Sequence, residues 1–432
     1  MLQRKQYLEK LIEKKDNGRV KVITGLRRCG KSVLLFDLYR NYLLDHGVEQ
    51  SQIIALALDV LANSRYRNPI ELDGFIRKRI ADYGKHYYVF IDEIQNVSEI
   101  QNPYVDDPGA KIGFIDVILG FMQMSNVDVY VTGSNSKMLS SDVLTQFRDR
   151  GDEIRVYPLS FAEFYEAYDG DKREAWQDYY TYGGMPYVLQ LDTHEKKSSY
   201  LRDLLTRTYI KDVLDRHDIR NESGKLETLL DVLASGVGSL TSPSRLSNTF
   251  DTEWKTKISP DTIDLYIGYF VDAFLISKSS RYDVKGRRYL QSPLKYYYCD
   301  LGLRNARLNF RQLEENHLME NALYNDLVRR GYDVDVGIIE KNGKNREGKS
   351  YRQNLEIDFV VNRGSRRHYI QCALDVDDPA KRSQELESLR RIPDSFGKYV
   401  VVKGYMKPWT DDLGIRYVGI EQFLLDEDPL SI

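Results

Sequence analysis

The segment Gly25-Leu26-Arg27-Arg28-Cys29-Gly30-Lys31-Ser32 satisfies the pattern G-x-x-x-x-G-K-[ST] and constrains the fold more than any other part of the chain. The pattern has a physical meaning only where a strand enters the loop and a helix leaves it, and both flanks are present. Arg19 to Thr24 reads as a short strand running into Gly25, and Leu34, Leu35, Leu38, Tyr42 and Leu43 share one face of a helix that begins at Lys31. Glycines let successive backbone amides turn inward on a chain of phosphates, while the helix presents its positive end to the same anion. Lys31 then supplies a point charge for the β- and γ-phosphates, and Ser32 offers a hydroxyl to Mg2+. A plain glycine-rich turn with an exposed lysine is the alternative, and the flanking strand and helix argue against it.

Further strands are predicted at Ile53 to Leu58, Tyr87 to Ile91 and Val127 to Val131, with helical or irregular crossovers between them. Strands alternating with long crossovers imply a parallel sheet covered by helices. Tyr87-Tyr88-Val89-Phe90-Ile91 is apolar and ends in Asp92-Glu93, at the carboxyl end of a strand where ligands of parallel sheets bind. Alone, such an acidic pair reads as a solvated turn. Beside the loop it reads as chemistry: Asp92 is a hard oxygen donor for the Mg2+ shell, and Glu93 is placed to orient and deprotonate an attacking water.

With 432 residues, at roughly 100 to 200 per domain, the chain is expected to form two to four domains. Lys plus Arg number 62 against 65 for Asp plus Glu, so whole-chain charge does not favour indiscriminate nucleic-acid binding, and any such contact must be local. Cys29, Cys299 and Cys372 lie too far apart for zinc-type pairs and fit a reducing compartment. Met1 to Lys15 lacks the apolar stretch of a signal peptide, and no later segment reaches the ~18 apolar residues of a membrane span. A cytoplasmic protein without membrane insertion is expected. The six histidines are scattered without metal-ligand spacing.

After the sheet the pattern turns helical, through Glu163 to Tyr168, Ala175 to Tyr180 and Ser199 to Leu214, as a small lid would. From Gly224 to Arg311 come helices at Leu229 to Leu233, Pro243 to Phe250 and Pro260 to Phe270, the last started by Ser259 as cap and Pro260 at its first position. Strands at Leu275 to Ser279 and Arg288 to Leu290 flank a turn at Lys285-Gly286. Three helices followed by a hairpin outline a winged helix. From Gln312 onward a helix precedes strands at Val334 to Ile339, Leu355 to Val361, Tyr369 to Ala373 and Tyr399 to Val402, with Lys341 to Arg352 expected as a mobile polar loop.

These motifs resemble those of AAA+ type P-loop ATPases. Val129-Tyr130-Val131-Thr132-Gly133-Ser134-Asn135 is similar to the family's sensor strand, which implies that Ser134 and Asn135 approach the γ-phosphate or the lytic water. Phe147-Arg148-Asp149-Arg150-Gly151, followed by Pro158 to Phe164, resembles the segment that closes the ATPase core in a group of prokaryotic AAA-like ATPases carrying a C-terminal extension. The resemblance implies ATP and Mg2+ as ligands. Its nucleotide-binding set is Gly25, Cys29, Gly30, Lys31, Ser32, Val33 and Ser134, its metal set is Ser32 and Asp92, and its catalytic set is Glu93, Lys31, Asn135 and Arg150. Arg148 or Arg150 would serve as an arginine finger; if it acts in trans, the protein is a homo-oligomer. The implied layout is a core over residues 1–165, a helical lid over 166–223, a winged-helix-like domain over 224–311 and a small restriction-endonuclease-like α/β domain over 312–432.

The segment Lys278 to Tyr289 gathers positive charge and tyrosines where a wing would touch DNA, while Asp261, Asp264 and Asp272 on the preceding helix suit a DNA groove poorly. Non-specific backbone contact or protein docking are both open at this stage. In the last region, the resemblance to nuclease folds matches Glu320 and Asp358 to the first two metal positions. At the third, Gln371-Cys372-Ala373 lacks the acidic residue and the lysine, so an inactive scaffold is expected. Glu356 is expected on the opposite sheet face from Asp358 and unable to compensate. The favoured reading is an ATPase coupling nucleotide state to its C-terminal region. The alternatives are an ATP-gated binding module with little hydrolysis and an ATP-regulated nuclease.

Overall fold

The computed structural model describes residues 2–133, 147, 150–219, 223–344, 350–376, 382 and 386–431. Ser134, Asn135 and Arg148, expected near the γ-phosphate, lie outside the described residues. The chain divides into two compact units, Met1–Pro158 and Leu159–Ile432.

The first unit is built on five strands, β1 (Val20–Thr24), β2 (Ile53–Ala57), β3 (Tyr87–Asp92), β4 (Val127–Thr132) and β5 (Gly151–Arg155), in the order β2-β3-β4-β1-β5. Every ladder is parallel. Every residue of β1, β3 and β4 is buried, as a sheet covered on both faces requires. Val22, Val89, Ile91 and Val131 pack with Leu72, Ile76, Ile118 and Phe121 in one core cluster, the latter four contributed by the helices Pro69–Arg79 and Phe114–Phe121. The first of these helices starts where Asn68 accepts the amides of Ile70 and Glu71 and Pro69 occupies the opening turn. Inside this sheet Lys21 pairs with Asp128 at 2.5 Å, both fully or almost fully buried. Strand β5 was not legible in the sequence. It is an edge strand with only Ile154 buried, so it carries no apolar alternation.

In the second unit, Ser160 and Glu163 form a capping box that opens the helix Phe161–Ala167. Leu159 donates its amide to Gly184 O at 2.7 Å, and Tyr179 Oη donates to Leu159 O at 3.1 Å. These bonds draw the segment from Leu159 onward into this unit, whereas residues up to 165 were expected in the core. Gly184 also donates its amide to Asp300 Oδ2 at 2.7 Å, and Asp300 Oδ1 caps the helix Leu301–Arg307 through the Leu303 amide at 2.9 Å. A Cβ on Gly184 would lie 2.2 Å from Leu159 O, so Tyr182-Gly183-Gly184-Met185-Pro186 acts as a packed junction between helices. Burial pushes the Asp300 carboxyl up to about 6, against the amides of Leu303, Gly184 and Gly302 that favour its charge.

The helices Ser223–Ser235, Pro243–Glu253 and Pro260–Asp272 appear in the expected order, the last two capped by Ser242 and Ser259. They are followed by the hairpin β6 (Ile276–Asp283) and β7 (Arg288–Tyr298). The helix Glu315–Arg329 then leads to β8 (Asp333–Lys344), β9 (Ser350–Arg363), β10 (Arg366–Ala373), β11 (Gly397–Val402), β12 (Trp409–Thr410) and β13 (Ile415–Gly419). All eight strands form one mixed sheet in the order β12-β13-β11-β10-β9-β8-β6-β7. The expected boundary at 311/312 is therefore corrected: β6 pairs in parallel with β8, Arg281 opposite Val336 and Asp283 opposite Ile338, so the hairpin is hydrogen-bonded into the last sheet. The expected loop at 341–352 is corrected as well. Residues 341–344 and 350–352 extend the antiparallel β8/β9 ladder, with Lys341 opposite Gln353 and Gly343 opposite Tyr351. Cross-strand pairing holds this polar stretch extended where composition alone suggested a loop. Among the described residues no helix is long and apolar enough to cross a membrane.

Candidate active site

Strand β1 delivers the chain to Gly25, whose φ of 130° only glycine adopts readily. A Cβ there would sit 2.0 Å from Val156 O, because Val156 is bound to the end of β1 through its amide and Thr24 O at 2.8 Å. The loop reverses through left-handed Arg28 and Gly30, and helix begins at Lys31. Lys31 is buried within the loop, its Nζ donating to Gly25 O at 3.0 Å and Leu26 O at 2.8 Å. Cys29 is buried with its Sγ 3.4 Å from Val156 O, so it braces the loop from beneath. Val33, in the first helical turn, is exposed.

Ser32 Oγ donates to Asp92 Oδ2 at 2.7 Å, bringing the helix start and the end of β3 together. Thr132 Oγ1 donates to Asp92 Oδ1 and accepts the Glu93 amide at 3.2 Å. Burial raises the Asp92 carboxyl above its ordinary range; the Thr132 and Ser32 hydrogen bonds oppose this, and the nearby Glu93 and Asp59 charges reinforce it. Such a carboxylate gains by meeting a cation. The Ser32 hydroxyl and Asp92 carboxylate are hard oxygen donors in direct contact, the donor chemistry that Mg2+ takes. Glu93 has a left-handed backbone, and Gln95 Nε2 donates to its Oε2.

Thr132 escaped the sequence reading, which looked two residues further on. The available signal was its place as the last residue of a central strand: in the ladder it stands opposite Ile23, two residues before Gly25. Arg150 is not brought to this site within the chain. It is exposed and precedes β5, which runs parallel to β1 with Gly151 opposite Val20. Five residues of strand, roughly 16 Å, separate that level from the loop.

In the second unit, Lys295 of β7, 2 % exposed, is surrounded by acids. Its Nζ lies 2.7 Å from Glu320 Oε1, 2.6 Å from Glu356 Oε1 and 3.7 Å from Asp358 Oδ1. The expectation that Glu356 points away from Asp358 is wrong, because residues two apart on a strand share a face. Tyr297 Oη donates to Glu320 Oε1 at 2.6 Å, and the Cys372 amide donates to Asp358 Oδ2 at 2.8 Å. Burial would lower the Lys295 ammonium, but the three carboxylates raise it; Asp358 is also raised, by burial and by Glu320. Among the described residues no group of three or more His, Cys, Asp or Glu is arranged to hold a metal ion. On the hairpin, Arg288 pairs with Asp283 at 3.5 Å and Arg281 donates to Ser292 O at 2.6 Å, so part of its positive charge is already engaged.

A family model described as an AAA domain matches residues 17–165, and one for a domain of unknown function matches 173–314. An uncharacterized protein of Haemophilus influenzae is 30% identical over 430 residues, covering 98% of this chain and 99% of its own. The chain belongs to the same family as this protein, and its residues 17–165 form an AAA domain. A second relative, an uncharacterized protein of Methanocaldococcus jannaschii, is 26% identical over 383 residues, covering 85% of this chain and 77% of its own. Among solved structures, the Walker-type ATPase of Pyrococcus abyssi matches at a TM-score of 0.49 with 14% identity, over 71% of this chain and 96% of its own. The AAA match ends seven residues into the second unit, and the mixed sheet lies largely beyond both family models.

Proposed function

We propose that this AAA-type ATPase binds ATP with Mg2+ at Gly25, Cys29, Gly30, Lys31, Ser32 and Val33 and hydrolyses it through Asp92 and Glu93. The observation carrying this reading is the contiguous chain Ser32–Asp92–Thr132–Glu93, which ties the loop, the acidic strand end and the neighbouring strand end together. Lys31 exchanges its two loop carbonyls for phosphate oxygens. Ser32 and Asp92 hold the metal, which when bound neutralises phosphate charge. Glu93, released from Gln95, takes the proton of the attacking water. Ser134 and Asn135 complete the γ-phosphate contacts, and Arg150 serves a neighbouring copy in a homo-oligomer, since within its own chain it lies at the wrong end of the sheet. The protein is read as cytoplasmic, with nucleotide state passed to the second unit, whose partner is DNA, contacted through 278–289, or another protein.

Two variants of the full chain test the core of this reading. Lys31→Ala should weaken ATP binding at least tenfold with the fold intact. Glu93→Gln should bind ATP normally and lose phosphate release by two orders of magnitude or more. Unchanged turnover in Glu93→Gln, in a protein that still binds ATP, removes Glu93 from catalysis and leaves the ATP-gated binding module.

A specific observation also favours a second reading. The lysine missing from Gln371-Cys372-Ala373 is supplied in space by Lys295, beside Glu320, Glu356 and Asp358. An ATP-regulated nuclease would show Mg2+- or Mn2+-dependent DNA cleavage that Asp358→Ala abolishes; without cleavage, the cluster is a charge-paired scaffold.

A further inference from the structure

In the second unit a polar cavity of about 440 Å³ opens between the π-helical turn Leu205–Ile210, the helix Ser223–Ser235 and the chain leaving Leu301–Arg307. Its volume is within the range of small-molecule sites, roughly 300–1,000 Å³. Leu205, Ala306 and Leu308 supply its apolar wall, and Thr206, Asn309 and Gln312 bring neutral polar side chains.

Three arginines line it, and they are not equivalent. Arg307 is consumed: it clasps Asp231 through Nε and through Nη2 at 2.9 Å, and reaches Glu227 Oε2 through Nη1 at 3.2 Å. The acidic groups at this wall are thereby neutralised. Arg202 donates once, from Nη2 to Ser198 Oγ at 3.2 Å. Arg311 has no side-chain hydrogen-bond or ion-pair partner among the described residues. Arg311 and most of the Arg202 donors are thus left over at a cavity where, among the described residues, the lining carboxylate Asp231 is already paired.

The frame that carries them is fixed. Asn309 and Phe310 are both left-handed, at φ 53° and 56°, a costly conformation for a bulky residue. The Phe310 ring is braced by Tyr182 and His194 at centroid distances of 6.0 and 5.6 Å. The amides of Leu308, Asn309 and Phe310 cap carbonyls of the preceding helix, so its negative end is masked. Opposite, the π turn is a helical irregularity of the kind that gathers at functional sites.

We infer that this cavity is a binding site for a small phosphorylated molecule, separate from the nucleotide loop, with Arg202 and Arg311 gripping the phosphate. A phosphate monoester carries close to two negative charges near neutral pH, matching the charge of two guanidinium groups that have no carboxylate partner among the described residues, and Arg forks bind phosphate bidentately. A concave site of this volume suits a compact ligand better than a duplex backbone.

The test uses the full chain with Lys31→Ala, so that the loop is silenced, titrated with inorganic phosphate and with ribose 5-phosphate by isothermal calorimetry. One saturable site is expected, weakened tenfold or more by either Arg311→Gln or Arg202→Gln. It should be unchanged by Arg207→Gln, an exposed neighbour that pairs with Asp203 instead. The arginines are at the cavity mouth, so thermal melting should confirm an unaltered fold. Repeating the titration on the wild type saturated with ATP separates this site from the loop: heat that persists supports it. Absence of saturable binding in both formats, equal binding in the Arg→Gln variants, or displacement of the phosphate by duplex DNA overturns the inference.

Discussion

Replacing Lys295 with Met keeps the length and apolar stem of the side chain and removes only its ammonium, leaving Glu320, Glu356 and Asp358 around an empty charge. Removing one partner of a buried ion pair costs about 3–5 kcal/mol, because the remaining charge stays buried without compensation. For a unit of this size each kcal/mol moves the melting temperature by about 2–4 °C, so a drop of about 6–20 °C is expected near neutral pH. The pH dependence carries more information than the magnitude. Without the cation the Asp358 carboxyl, already raised by burial and by Glu320, loses the charge that opposed that rise, so its folded pKa moves further above its unfolded one. Stability from such groups is present below the unfolded pKa and is lost as pH rises through the folded value. Because Asp358 is pushed up to about 8 in the wild type, the difference between variant and wild type should be constant in acid and widen as pH rises through about 8. Urea denaturation followed by tryptophan fluorescence reads this unit alone, because all three tryptophans, Trp176, Trp254 and Trp409, lie in it. Adding Asp358→Asn should recover part of the loss at pH 8. A Lys295→Met protein as stable as wild type at pH 8, or a deficit independent of pH, would refute the electrostatic reasoning.

Asp300 offers a second pH test. Its folded carboxyl is pushed up to about 6 from an ordinary 3.8, so its contribution is complete below about pH 4 and is lost as pH rises through about 6, an effect of about 3 kcal/mol. Asp300→Asn should flatten that part of the stability profile relative to wild type; parallel profiles between pH 4 and 7 would show that Asp300 titrates normally. Thr132→Ala removes the hydroxyl that donates to Asp92 and accepts the Glu93 amide. It should lower steady-state ATP turnover about tenfold or more while ATP affinity changes little. An equal loss in affinity would mean that Thr132 serves binding and not the positioning of Asp92 and Glu93.

The loop, Asp92, Glu93 and strands β1 to β4 were legible in the sequence because each depends on local chemistry. Glycine at a strand-to-helix turn, a lysine and a hydroxyl at a helix start, and an apolar run ending in acids announce themselves within about ten residues. Strand β5 was not, since an edge strand with one buried residue has no apolar pattern to read. Thr132 was missed for a related reason: its partners Asp92 and Glu93 are about forty positions away and meet it only through the β3–β4 pairing.

By itself, the sequence determined the character of the first unit, because a phosphate-binding loop works only between a parallel strand and a helix, and the sheet follows from that requirement. Tertiary structure alone decided how the predicted elements of the second unit are joined. There the hairpin joined the last sheet through β6 and β8, and Lys295 arrived beside three acids drawn from a helix and another strand. Arg202 and Arg311, more than a hundred residues apart, came to face one cavity. Each of these depends on hydrogen-bonded register and packing between distant segments, and neither leaves a periodic trace in the segments that take part.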